Sequence, residues 1–597
     1  MPKSQPIYPE QAFRPDVIRF TDIPVCQYNK TLEEEKKNYT KDDFMRIYHD
    51  MRTIREFEHM LNEVKTKGAY GGIEYNYPGP AHLSIGQEAS AVGQAFPLDI
   101  NDLSFGSHRS HGEIIARGLV AIHKLPENEL YDIMKNFLGG RILSIVEKHM
   151  PADNIKKLAQ NFLLYGALAE VFARSTGFNL GLGGSMHCFF IPFGLMPNNA
   201  IVGGSAPIAV GAALYKRCNG KPGIVIANIG DGALGRGSVL EAMNFASMDQ
   251  FTKLWGMDGK YSDKGLPILF NIFNNIYGMG GQTWGETAGY GYAARLGAGF
   301  TPTQMHSERV NGYDPLAVID AVSRKKQILL EGKGPALLDI VTYRVSGHSP
   351  SDSSSYRSQE EIDAWIAADP IAAFRKKLVE GSIATEDEFD AIDEMIVRRT
   401  EEIMRLATND EISPRMDLDK EPDAIANLMF SNQKVPSFDT TRKPDMLMPK
   451  DEVPRVKEIK NKVRSALDKD GKPVPKMKLY NIRDGIFEPV IDKLYEDPTL
   501  IIYGEDNRDW GGAFGVYKKM TEAVPYHRFF NAPISEAAIV GSAVGYAMCG
   551  GRVIVELMYA DFMGCAGDEI FNQLAKWQAM SAGILKMPVV LRVSVGS

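Results

Sequence analysis

The residues best placed to do chemistry are a Gly–Asp–Gly turn at 230–232 and a pair of asparagines at 274–275, followed by Ile-Tyr-Gly-Met-Gly. Each follows an apolar run suited to a strand, GIVIANIG before the first and LPILFNIF before the second. Both therefore belong at the carboxyl edge of a sheet, where open α/β sheets bind ligands. A Gly–Asp–Gly turn leading into a helix combines close backbone approach, one carboxylate and a helix N-terminus. That combination suits a diphosphate held through a divalent metal. Asp231 and the amide oxygen of Asn275 supply hard oxygen ligands, and the carbonyl of Tyr277 is a candidate third. A lone Gly–Asp–Gly is common as a plain strand-to-helix turn; the paired asparagines after the next strand favour the ligand reading.

The surrounding pattern supplies the elements that hold such a site. From about residue 200 strand and helix signals alternate. PALLDIVTYRV is a further apolar, branched run bounded by Pro, and a helical segment lies between Gly235 and Met248. Runs of this kind suit strands buried on both faces of a parallel sheet, so the fold class is α/β with helices flanking parallel sheets. Upstream, Phe44, Ile47, Tyr48, Met51, Ile54, Leu61 and Val64 recur at helical spacing, with Thr40 placed to cap the start and Gly68 to end the helix. Residues 1–40 are rich in Pro, Tyr and charge and suggest an extended arm. Residues 405–476 are rich in Lys, Asp and Pro and suggest a partly helical linker. After Met477 the α/β pattern resumes with TLIIYGED, GRVIVELMYADF and MPVVLRVSVGS. The expected plan is an arm at 1–40, a first domain at 41–404, a linker at 405–476 and a second, incomplete domain at 477–597. A faint internal repeat relates 206–232 to 536–562: a helix of small residues, a Gly-bearing turn, then an apolar strand.

The 597 residues exceed what one hydrophobic core supports. Apolar residues make up 44% and charged residues 24%, an ordinary globular composition. A net charge of -8 gives no reason to expect nucleic acid or an anionic membrane as partner. The five cysteines form no paired motif, which argues against a disulfide framework or a structural zinc site. No signal-peptide core and no membrane-length apolar run is present, so a cytoplasmic location is the default.

The motif pair and its flanks resemble the thiamine diphosphate-dependent, decarboxylating component of 2-oxo acid dehydrogenase complexes. Over roughly 41–400 the alpha-type subunit is matched by AHLSIGQEA (81–89), SHRSHG (107–112), GGSMH (183–187) and TYRVSGHSPSD (342–352). The resemblance implies that thiamine diphosphate and Mg2+ are bound, with Asp231, Asn275 and Tyr277 on the metal. It places Val202, Gly230, Gly232 and Ala233 around the cofactor, Arg109 against the diphosphate, and His348 and His82 at the reacting centre. Met279 matches the bulky apolar residue that bends the cofactor. Two departures stand out. His108 replaces a Tyr that often precedes this Arg, and 44 positions separate Asp231 from Asn275, more than is usual. The surplus falls in DQFTKLWGMDGKYSDKG (249–265), a polar, Gly-bearing stretch that suggests an inserted loop able to alter access or subunit contacts.

The second half resembles the beta-type subunit of the same family through NAPISEAAIVGSAVGYAMCG (531–550). The match implies that Glu536 hydrogen-bonds N1′ of the aminopyrimidine and promotes the cofactor's activation. Glu505 would relay protons to it, and Met558 and Phe562 would pack on the ring. An acidic residue at a helix start is also ordinary dipole complementation. Taken together, the resemblance implies two subunit types fused in one chain. The implied function is decarboxylation of a small 2-oxo acid, branched-chain or pyruvate-like, with acyl transfer to a lipoyl-bearing acyltransferase core. A site between domains implies a homo-oligomer. Acetoin-cleaving relatives share the motifs, a transketolase-like transferase is the runner-up enzyme, and a non-catalytic scaffold is the reading of another class. The chain stops just after VVLRVSVGS, which suggests a fragment of a longer chain, inactive alone and prone to associate through an unpaired strand edge.

Overall fold

The computed structural model describes residues 6–430, 434–462, 464–477 and 479–596. The first five positions of the expected arm, linker positions 431–433 and 463, and positions 478 and 597 of the second domain lie outside them.

Helix α1 spans Lys41–Lys67. Its start is a capping box: the Thr40 hydroxyl accepts from the Asp43 amide and the Asp43 carboxylate accepts from the Thr40 amide. Gly68, at φ 73, ends it. Every apolar position that the spacing singled out is buried.

Six strands form the larger sheet: β1 Leu103–Gly106, β2 Leu195–Asn198, β3 Val225–Gly230, β4 Ile268–Asn274, β5 Glu308–Asn311 and β6 Ala336–Val341. Helix α2, Ser205–Cys218, precedes β3, and α3, Gly237–Ala246, follows it. The order is β2-β1-β3-β4-β6-β5, with each paired neighbour parallel. β4 is buried along its whole length, as its unbroken apolar run requires. Helix α4, Glu386–Thr408, runs past the expected boundary at 404.

The second sheet holds β7 Ile501–Gly504, β8 Phe529–Asn531, β9 Val553–Leu557 and β10 Val589–Val593, in the order β8-β7-β9-β10, again parallel. Helix α5, Glu536–Met548, joins β8 to β9. The 409–476 stretch carries two short helices, Ala424–Met429 and Pro454–Lys460, and is held to the body: Arg442 donates to Asn219 and Arg552 to the Pro436 carbonyl.

The repeated helices α2 and α5 pack directly on each other, running parallel. Gly211 meets Ser542, Gly545 meets Ile208, and the Tyr215 and Tyr546 rings lie 5.4 Å apart. A Cβ on Gly545 would stand 1.8 Å from the Ile208 carbonyl oxygen, and one on Gly211 1.9 Å from that of Ser542. The small residues are therefore required by backbone contact, and one apolar core runs from β3 and α2 through to α5 and β9. Overpacking a tight core costs roughly 1–3 kcal/mol or more. Gly545→Ala accordingly lowers the thermal unfolding midpoint and the soluble yield of the full chain; an unchanged midpoint would refute the close packing.

Candidate active site

The carboxyl ends of five neighbouring strands converge on one cavity of about 380 Å³. β1 delivers His108 and Arg109, β2 leads to Val202, β3 delivers Gly230 and Asp231, β4 delivers Asn275, and β6 leads to Arg344 and His348. Met279, Tyr277, Gly232, Ala233 and His82 also line it. All the site residues expected from the first half thus meet in one place.

Asp231 is 3% exposed. Its carboxylate accepts from the Thr283 hydroxyl and from the Asn275 amide at 3.3 Å. Burial pushes it up to about 6, although the Thr283 and Asn275 donors pull the other way. A buried carboxylate beside a second hard oxygen donor is a ready ligand for a divalent metal, whose charge would reverse the shift. Asn275 accepts from the Tyr277 amide through its side-chain oxygen and donates to Gln87 at 3.2 Å. Between them Ile276 sits at φ 73, a costly conformation for a β-branched residue. The loop closes over it: the Thr283 amide donates to the Ile276 carbonyl at 2.7 Å. Gly232 is tight because a Cβ there would come 2.9 Å from Gly278 Cα. Backbone approach, hard oxygen donors and cavity size fit a metal-bridged diphosphate.

Opposite stand two arginines. Arg109 is buried and donates to the Leu83 carbonyl at 2.8 Å and the His348 carbonyl at 2.9 Å. Burial, and then Arg344, pull it down to about 9, against the opposing pull of Glu58 and Asp231. Arg344 donates to the carbonyls of Gly278 and Met279, to Tyr356 and to His348 Nδ1 at 3.3 Å. Arginine can only donate, so Nδ1 of His348 is bare and its proton sits on Nε2. Burial followed by the two arginines lowers His348 to about 4, and burial with Arg109 lowers His82 to about 3. His108 is pushed down in the same way, and the three rings crowd together, His82 lying 4.9 Å from each of the other two. Nδ1 of His82 is buried without a hydrogen-bond partner among the described residues. Met279 projects into solvent, 71% exposed.

The residues expected from the second half are elsewhere. Glu536, Glu505, Met558 and Phe562 do not line the cavity. Glu536 opens α5, whose first turn is held from the other half: the Ala538 amide donates to Glu241 of α3 at 3.1 Å. Glu505 follows β7; burial, then Glu536, raises its carboxyl. Phe562 is 37% exposed. The second half reaches the cavity rim at Gln573, which accepts from Asn199 at 2.9 Å. Thr283, Gln87 and Arg344 escaped the sequence reading. Arg344 and Gln87 stand inside the quoted TYRVSGHSPSD and AHLSIGQEA segments, while Thr283 is brought in by loop closure.

Comparison with known proteins agrees with this layout. Residues 156–415 match the family model "Dehydrogenase E1 component", and 480–596 match "Transketolase, pyrimidine binding domain". The chain is 30% identical over 426 residues, 71% of its length and 84% of the relative, to the mitochondrial pyruvate dehydrogenase E1 component subunit alpha of Chaetomium thermophilum. It is 28% identical over 369 residues, 62% of its length and 92% of the relative, to the corresponding Rickettsia bellii subunit. A site built for a metal-bridged diphosphate, a separate pyrimidine-type half and these matches lead to one assignment: the chain belongs to the thiamine diphosphate-dependent E1 family of 2-oxo acid dehydrogenases, with alpha-type and beta-type parts in a single polypeptide.

Proposed function

We propose that this chain decarboxylates a small 2-oxo acid, pyruvate-like or branched-chain, and passes the acyl group to a lipoyl group on a partner acyltransferase. The observation that carries this reading is the buried Asp231 beside Asn275, in one cavity with Arg109, Arg344 and the three histidines His82, His108 and His348. Thiamine diphosphate, when bound, supplies the carbon nucleophile and electron sink. Asp231, Asn275 and the Tyr277 carbonyl hold Mg2+. Arg109 and Arg344 compensate the diphosphate and the substrate carboxylate. Met279 and Val202 shape the apolar part of the cavity, and Glu536, assisted by Glu505, exchanges a proton with the pyrimidine ring.

A homo-oligomer completes the site in this reading. The cavity is lined by one half of the chain, while Met279, Val202, Phe562 and Tyr559 are apolar and exposed. Two such half-sites on one chain satisfy each other across two copies. The five cysteines are unpaired, and no helix among the described residues is long and apolar enough to cross a membrane. The test is carbon dioxide release by the full chain from a panel of 2-oxo acids with an artificial electron acceptor. Pyruvate, the branched-chain acids and acetoin are compared; release from none of the 2-oxo acids would overturn the proposal.

His348 gives a second check. Held neutral at pH 7, it offers Nε2–H as a donor to a developing oxyanion and to the acyl group in transfer. His348→Ala lowers acyl transfer to lipoamide by about 10²-fold, the scale of a lost polar catalytic group. Cofactor affinity is spared. Because the folded value lies near 4, the ring is uncharged across neutral pH, and the variant's rate falls without a change in profile shape there. Wild-type transfer rates in the variant would make His348 structural.

A further inference from the structure

The 249–265 stretch is not a solvent loop. Helix Gln250–Lys253 begins it, Phe251 is 1% exposed and Trp255 is fully buried. Besides Arg217 and Gly332 of the first half, it touches one short run of the second half. The Trp255 ring packs 5.3 Å from Phe530, and Tyr261 stacks on His527 at 4.3 Å with 15° between the planes. Asp258 accepts from the Tyr526 amide at 3.0 Å, and the Gln250 side-chain amide donates to the Asn531 carbonyl at 2.7 Å. Trp255 in turn donates from its indole to Gln250 at 3.3 Å, fixing that amide's orientation. The gripped run, 526–531, ends in β8, five residues ahead of Glu536. β8 also pairs with β7, whose last residue precedes Glu505.

We infer that the insertion is a clamp that positions Glu536, with Gln250 and Asp258 as its positioning residues. The physical need is specific. The loop between Asn531 and Glu536 is short and carries Ile534 in solvent, 82% exposed; its far end is set by Glu241 and the packing of α5 on α2, and its near end by β7 and by the run that the insertion holds. A carboxyl that must meet one ring nitrogen tolerates little displacement, since a misplacement of about 1 Å costs on the order of 10²-fold. Two hydrogen bonds and two ring contacts from the other half fix the strand that sets this placement. The clamp also ties the two fused halves together within one chain, where separate subunits would need only their surface complementarity.

The inference rests on Glu536 acting on the bound cofactor's pyrimidine ring, so its test measures that action without turnover. The rate at which the C2 proton of bound thiamine diphosphate exchanges with deuterium is followed by NMR in the full chain with Mg2+. Gln250→Ala with Asp258→Ala leaves Trp255 and Phe251 in place and slows exchange about tenfold, the scale of a sub-ångström misplacement. Cofactor affinity is unchanged. Asp258→Asn, which keeps an acceptor for the Tyr526 amide, restores most of the rate in the Gln250 background that Asp258→Ala slows. Amide hydrogen exchange in the same variants rises at 526–536 and stays native in α2 and β3. A double variant with native melting and wild-type C2 exchange overturns the clamp. Glu536→Gln run alongside separates the two ideas: if it too exchanges at the wild-type rate, the assignment of Glu536 fails, and if it is slow while the double variant is fast, only the clamp fails.

Discussion

Asp231→Ala abolishes magnesium-dependent retention of thiamine diphosphate, weakening it more than about 100-fold by calorimetric titration, beyond the loss caused by removing a group that only orients a metal ligand. Asp231 is the carboxylate of its turn, and it is buried with the Thr283 hydroxyl and the Asn275 amide as its donors. A dianion of diphosphate and a carboxylate repel each other unless a metal bridges them. The companion variant sharpens the point. Asp231→Asn keeps shape and hydrogen bonding but removes the buried charge, so the cofactor-free chain melts at a higher temperature than wild type while metal-dependent binding is still lost. That pairing, stability gained and function lost, is the mark of a site held ready for a ligand. Unchanged magnesium-dependent binding in Asp231→Ala would move the metal elsewhere.

The parts of this architecture legible in the sequence are those where local chemistry decides the structure. Thr40 and Gly68 bracket α1 because a capping box and a left-handed terminus are short-range devices. Asp231 and Asn275 were placed at one sheet edge because each ends an unbroken apolar run, and in a parallel sheet every such run ends on the same side. What stayed hidden depends on tertiary closure. Thr283 reaches Asp231 after a loop that turns back at Ile276, whose left-handed backbone no β-branched residue advertises. The 249–265 stretch was taken for a polar loop on its Lys, Asp and Gly content, yet Phe251, Trp255 and Tyr261 carry it into the interface; a few aromatic residues outweigh many surface charges when a neighbouring domain offers them a face. The small residues of α2 and α5 suggested close helix packing, and the structure shows that the two repeated helices pack on each other. The division of the site was the least legible feature. The resemblance implies roles for Glu536 and Phe562, but only the fold shows that the cavity is walled by the other half.

Glu536→Gln lowers turnover about 10²–10⁴-fold, the usual scale for loss of an acid/base group, with cofactor affinity largely intact. The amide keeps the size of the side chain and its place at the start of α5, and it loses the exchangeable acidic proton. The division of the site turns this variant into a test of assembly. In the proposed twofold dimer each cavity draws Asp231 from one copy and Glu536 from the other. Glu536→Gln and Asp231→Ala chains are each inactive alone. When they pair, both lesions fall in one site and the second site is intact. Random pairing of equal amounts therefore restores about a quarter of wild-type carbon dioxide release, because half the dimers are mixed and each has one good site. If Glu536 instead served the cavity of its own chain, every site in the mixture would carry one lesion and activity would stay at background. Turnover of the unfractionated mixture after co-expression decides between the two arrangements, and isolating the doubly tagged mixed dimers raises the expected value to about half of wild type.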